Sequence, residues 1–141
     1  MSAAGENVTT RVEITRDPIE LDAYASPDAA NGAVVTFWGV VRDHSGGRPV
    51  TGIFYECYEE MASKEMRRIV DEVRAESPVH GVTIVHRIGE VAAGEPSLLL
   101  VVAAAHRAGA FAAAQRIVDE LKVRVPIWKK ERYADGEPEW R

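Results

Sequence analysis

Five cations and one carboxylate crowd the eleven positions Lys122-Val-Arg-Val-Pro-Ile-Trp-Lys-Lys-Glu-Arg132, in a chain whose formal net charge is -5. A basic cluster in an acidic protein does not follow from bulk charge; it points to a local site for a phosphate or a carboxylate. Lysines in such a site can also move protons or act as amine nucleophiles, provided that burial or a second cation favours the neutral form.

His106-Arg107 is the next candidate, because it follows an apolar run and leads through Ala108-Gly109 into a helical pattern. Backbone amides at a helix N-terminus attract anions, and an arginine there can hold a phosphate through two parallel hydrogen bonds. Arg42 leaves a strand just before the Gly46-Gly47 loop, a recurrent position for binding residues. Each has a plainer alternative: a snorkelling lysine at a helix end, an edge strand decorated with lysine, a solvated turn, an exposed strand-end arginine.

Other chemistries find no residues to support them. Cys57 is the only cysteine, so no intrachain disulfide, paired-cysteine metal knuckle or Cys-x-x-Cys redox motif can form. Nothing basic adjoins it to make a thiolate, and it is expected to pack. His44, His80 and His86 lack metal-ligand spacing, so neither a metal nor a cofactor is expected. Gly46-Gly47 lacks the following Lys-Ser/Thr of a phosphate-binding loop and reads as a hairpin connection. A pI near 5.4 argues against sequence-independent nucleic-acid binding. The start, Met-Ser-Ala-Ala-Gly-Glu-Asn, has no basic or apolar leader, and no apolar run reaches the ~18 residues of a membrane span. The expectation is a soluble, cytoplasmic protein, frayed over residues 1–10.

These residues need elements to position them, and 141 residues with 46% hydrophobic content suit one domain, 1–141. Strands are expected at Arg11–Thr15, Gly32–Arg42, Val50–Tyr58, Val82–Ile88, Ser97–Ala105 and Ile127–Tyr133, the fifth apolar enough to be buried on both faces. Asp17-Pro18 looks like a cap and first position of a short helix through Tyr24. Glu60–Glu76 carries an apolar stripe, with Met61 and Met66 assigned to the core, and Ala110–Val125 is the last helix, stopped by Pro126. The order β-α-β-β-α-β-β-α-β implies an α+β domain with a mixed or antiparallel sheet.

On a helical wheel with Phe111 at zero, Ala114, Ile117, Val118, Leu121 and Val125 share one arc, and Lys122 falls at its edge, about 20° from Phe111. Its stem is therefore expected to pack while its amine reaches a partly desolvated pocket, which lowers a lysine pKa. Strand alternation puts Lys129, Glu131 and Tyr133 on one face and Trp128, Lys130 and Arg132 on the other. If the strand folds back beside the helix end, Lys129 approaches Lys122, each depresses the other's pKa, and Glu131 orients one of them.

Taken together, Gly39-Val-Val-Arg-Asp43, Val85-His-Arg-Ile-Gly-Glu90, Ala105-His-Arg107 and Leu121-Lys-Val-Arg-Val-Pro-Ile-Trp-Lys-Lys-Glu131 resemble the catalytic (large) subunit family of molybdopterin synthase. The resemblance covers about Thr36 to Trp140. It implies an α/β hammerhead fold with an additional antiparallel β subdomain. It implies a sulfurtransferase that converts cyclic pyranopterin monophosphate to molybdopterin, in molybdenum cofactor biosynthesis. Sulfur would come from the C-terminal Gly-Gly thiocarboxylate of a small ubiquitin-like sulfur-carrier subunit, which fits the lack of a catalytic cysteine. A homodimer within a heterotetramer is implied as well.

Carried over by resemblance, Lys122 and Lys129 are catalytic. Val40, Val41, Arg42, His106 and Arg107 line the substrate pocket, and Lys130 and Glu131 complete its edge. Val40 stands where relatives often carry a polar side chain, so its role would run through the backbone. The short stretch ending at Trp140-Arg141 leaves little tail for subunit contacts. Two non-catalytic readings use the same cluster: a module that binds a phosphate-bearing ligand, and an interaction domain that docks an acidic tail.

Overall fold

The computed structural model describes residues 8–24, 29–136 and 139–140. Nine strands and two helices follow in the order β1 (Thr9–Thr15), β2 (Ala33–Val40), β3 (His44–Ser45), β4 (Arg48–Cys57), α1 (Glu59–Glu76), β5 (Gly81–Arg87), β6 (Gly89–Ala92), β7 (Pro96–Ala104), α2 (Arg107–Arg124), β8 (Ile127–Tyr133) and β9 (Glu139–Trp140). The expected α+β class with a mixed sheet holds. β1 begins at Thr9, within the stretch expected to be frayed, while residues 1–7 lie outside the described residues.

One four-stranded sheet runs β1-β5-β7-β2, with β1 parallel to β5 and the other pairs antiparallel. A second, antiparallel sheet runs β3-β4-β8-β9, and β6 also pairs with β4. The main core lies between the first sheet and the helices, where Met66, Ile69 and Val73 of α1 and Ala113, Ile117 and Leu121 of α2 cover Val82, Ile84, Leu100 and Val102. A smaller core of Val41, Ile53, Tyr55, Ile88 and Val91 backs the second sheet. Ile127 packs against both, so the start of β8 is the seam between the two sheets.

Several expectations change. The helix read from Asp17 to Tyr24 is only a 3-10 turn, Leu21–Ala23. So short a segment cannot repay helix nucleation, and it is held instead by burying Ile19 against Val85, Leu99 and Val101. β6 was not expected. It is four residues long, and it forms because Gly89, at φ 84°, turns the chain back along β4. The Gly46-Gly47 connection is the expected hairpin, with both glycines at positive φ as a two-residue turn requires.

Met66 is fully buried, but Met61 is 58% exposed and is not a core residue. Phe111 is likewise 61% exposed. The buried arc of α2 is Ala110, Ala113, Ala114, Ile117 and Leu121, because alanines let the helix lie close to the sheet and turn the bulkier Phe111 outward. No helix among the described residues is long and apolar enough to cross a membrane.

Candidate functional site

Three of the five clustered cations are already committed to other partners. Arg124 donates to both oxygens of Glu72 on α1, at 3.0 and 2.7 Å, and to Glu65 at 2.8 Å. Those contacts clamp the C-terminal end of α2 to α1. Arg132 donates to Glu90 at 2.7 Å, and Lys130 lies 5.3 Å from the centre of the Trp140 ring. Lys122 and Lys129 make no hydrogen bond or ion pair among the described residues, and both are exposed.

Lys122 occupies the last turn of α2, where the helix dipole favours a cation. It follows Phe111 around the helix and is exposed with it, so the desolvated stem expected from the wheel is not found within one chain. Lys129 sits on β8 opposite Tyr55 of β4. The expected alternation holds: Tyr133 donates to Glu131 at 2.7 Å on the face of Lys129, while Lys130 and Arg132 meet Trp140 and Phe54 on the other. Lys130 therefore faces away from Lys129. Glu131 is buried at 7% exposure directly along the strand from Lys129.

Beneath Lys129 lies a layer that the sequence did not single out for chemistry. Tyr55 donates to Ser97 at 3.1 Å, and Ser97 donates to the Gly39 carbonyl at 3.4 Å. The edge of the His86 ring meets Tyr55, with centroids 5.1 Å apart and planes at 74°. This layer ties the second sheet to the end of β2 from which Arg42 departs. Val40 is half exposed and Arg42 is exposed. Val41 is different: its side chain is buried at 2%, its amide donates to Glu95 and its carbonyl accepts from Gly94. These contacts fix the loop that carries Arg42.

His106 and Arg107 lie elsewhere. They open α2 at the far end of β7, next to a depression of about 430 Å³ lined by Gly32, Ala105, His106, Arg107 and Ala108. His106 caps the helix with extended backbone and no side-chain hydrogen bond, and the first turn carries no acid, so its amides remain open to an anion. A Cβ on Gly32 would stand 2.4 Å from the Ala105 carbonyl oxygen, so only glycine allows this close approach. Gly32→Ala is expected to cost about 1–3 kcal/mol in urea unfolding, because the backbone bearing His106 must move. A variant with unchanged stability would contradict the close approach.

Arg107 opens α2 and Lys122 lies in its last turn, so the helical rise sets them about 23 Å apart. One chain thus brings Lys122, Lys129 and Arg42 to one end of the first sheet, and leaves His106 and Arg107 at the other.

Burial, ahead of the positive charge of Lys129, pushes His86 down from 6.5 to about 4. The folded His86 therefore resists protonation. Between pH 6.5 and about 4 the unfolded chain takes up a proton that the folded chain refuses, so stability is complete above 6.5 and falls as the pH drops. His86→Gln should flatten this dependence by at most about 1.4 kcal/mol per pH unit in that window. Equal slopes in urea titrations of the two proteins would count against the burial of a neutral imidazole.

The family description "MoaE protein" matches residues 14–124, a span that includes Arg42, His86, His106, Arg107 and Lys122. The molybdopterin synthase catalytic subunit of Thermoplasma volcanium is 40% identical over 137 residues, covering 94% of this chain and 98% of that protein. The crystal structure of molybdopterin synthase from Staphylococcus aureus superposes with a TM-score of 0.85 at 36% identity, covering 92% of this chain and 95% of that one. A complex of subunits 1 and 2 of molybdopterin-converting factor from Helicobacter pylori 26695 shares the fold, with a TM-score of 0.68 at 21% identity over 91% of each chain.

Proposed function

The chain belongs to the MoaE family and acts as a molybdopterin synthase catalytic subunit in molybdenum cofactor biosynthesis, and from that premise we propose that Lys122 and Lys129 carry its sulfur transfer. The observation that supports this assignment is the partnering of the basic cluster. Arg124, Lys130 and Arg132 are engaged by α1, Trp140 and Glu90, whereas the two lysines at the seam are not engaged.

The substrate is cyclic pyranopterin monophosphate, and the sulfur arrives as the C-terminal thiocarboxylate of a small ubiquitin-like carrier. The Helicobacter pylori neighbour is itself a two-subunit complex, which supports such a partner. As the carrier's thiocarboxylate sulfur bonds to a pterin carbon, the C–O bond at that carbon breaks, and Lys122 protonates the departing oxygen or forms a transient covalent amine at the same carbon. Water then attacks the acyl carbon of the resulting thioester, and Lys129 steadies the negative charge that develops as the acyl C–S bond breaks, leaving the sulfur on the pterin and releasing the carrier as a carboxylate. Glu131, buried two residues along the same strand face and accepting from Tyr133, sets a fixed negative charge near that ammonium. Arg42 binds the phosphate at the same end.

His106 and Arg107 lie about one helix length away and cannot join this site within the same chain. A homodimer resolves the separation by letting a second copy present its His106 and Arg107 to the pterin, and one carrier on each protomer completes a heterotetramer. The reaction runs in the cytoplasm, where the sole cysteine needs no disulfide partner.

Reconstitution tests the reading. The protein, a thiocarboxylated carrier and the cyclic pterin should give the dithiolene product by mass spectrometry. A carrier that binds and keeps its thiocarboxylate in the presence of pterin would sink it.

A further inference from the structure

The segment Val85-His-Arg-Ile-Gly-Glu90 belongs to the family pattern, yet nothing above gives His86 a part in the reaction. Its side chain continues the stripe of Val82 and Ile84 on one face of β5. Its register neighbours, Ile14 on β1 and Leu98 on β7, are apolar. The ionisable side chains that approach it come from the second sheet: Tyr55 on β4 and Lys129 on β8.

His86 lies 2.8 Å through Nδ1 from the Arg87 carbonyl, which can only accept, so Nδ1 carries the proton. The neutral ring then exposes a lone pair at Nε2. That atom has no hydrogen-bond partner among the described residues, and His86 is only partly buried, so Nε2 remains open to a donor. Lys129 stands opposite Tyr55 in the ladder, and Tyr55 is the residue whose ring the imidazole meets.

We propose that His86 is the positioning residue of Lys129: an imidazole fixed in one tautomer by the Arg87 carbonyl and braced by Tyr55, whose open Nε2 accepts from the ammonium when carrier and pterin are bound and aims it at the reacting sulfur. The inference rests on the assignment of Lys129 given above. A neutral acceptor suits the task. It orients an ammonium without cancelling the charge that the transition state uses, as a second carboxylate would. The low affinity of His86 for a proton keeps it an acceptor throughout the neutral range.

Two measurements test this. In the ¹⁵N spectrum of the folded protein, His86 should be neutral with its proton on Nδ1 from pH 6 to 8, and, with carrier and pterin bound, its Nε2 signal should move in Lys129→Ala. The opposite tautomer, or an Nε2 signal indifferent to Lys129→Ala, overturns the proposal without any variant at His86. In the reconstituted reaction, His86→Phe should lower kcat about tenfold while KM for the pterin stays within about twofold. His86→Gln, which restores an acceptor, should recover kcat to within about threefold of the parent. Equal losses in both variants mean a packing role and overturn the proposal, as does an unimpaired His86→Phe. Near-normal turnover by Lys129→Ala would instead remove the assignment on which the inference rests, whereas an inactive Lys129→Ala beside an unimpaired His86→Phe removes the inference alone.

Discussion

Lys122→Ala should lower kcat for dithiolene formation by about 10³-fold or more while leaving carrier binding within about twofold, since a group that transfers a proton or forms the covalent amine contributes in the transition state alone. The substitution should be structurally mild. Lys122 is exposed, makes no hydrogen bond or ion pair among the described residues, and lies outside the buried arc of α2. Alanine also favours the helix. The clamp at this end is made by Arg124 to Glu65 and Glu72, and it is untouched. A lost reaction with an unchanged melting temperature therefore reports chemistry. Single-turnover assays with purified thiocarboxylated carrier check it, and turnover within about tenfold of the parent would remove Lys122 from the mechanism.

The second large effect is complementation between two inactive chains. Arg107→Ala should lose the pterin phosphate, with a fall in kcat/KM of about 10²-fold for a lost charge-assisted bidentate contact. If a site takes Lys122 from one protomer and Arg107 from the other, a randomly mixed dimer of Lys122→Ala and Arg107→Ala contains one intact site and one doubly damaged site. Half of the dimers are mixed and half of their sites are intact, so co-refolded equimolar chains should regain about a quarter of the parent activity. Neither variant alone approaches that value. If both sets of residues served one site within one chain, every mixed dimer would carry only damaged sites. An activity of the mixture equal to the mean of the two variants would then exclude the shared site.

Much of this fold was legible because its periodicities are strong. α1 shows a clean apolar stripe, β7 is apolar on both faces, and Pro126 separates α2 from β8. The alternation that sets Lys129 and Glu131 apart from Lys130 and Arg132 was also readable, since period two is fixed by strand geometry alone. What the sequence hid was contact between distant segments. Counting Phe111 equal to the alanines of α2 placed Lys122 on a buried margin, whereas close packing selected the alanines and left both Phe111 and Lys122 in solvent. β6 is four residues long and exists through its pairing with β4, which no local signal announces. The resemblance grouped His106 and Arg107 with lysines fifteen to twenty-three residues away in sequence. The straight run of α2 turns that interval into the full depth of the sheet. His86 was read only as a failed metal ligand, and its place beneath Lys129 depends on the β4–β8 register.

The measurement that bears most directly on the central assignment is turnover by Lys122→Arg. Arginine keeps the positive charge and the helix-end position, so a site that uses the cluster only for affinity tolerates it. A guanidinium effectively never deprotonates and cannot serve as proton-transfer group or covalent amine. The expected result is carrier and pterin binding close to that of the parent, with no dithiolene product above the level of Lys122→Ala. Product formation by Lys122→Arg at a rate near the parent's would contradict the assignment and leave the cluster as a binding site alone.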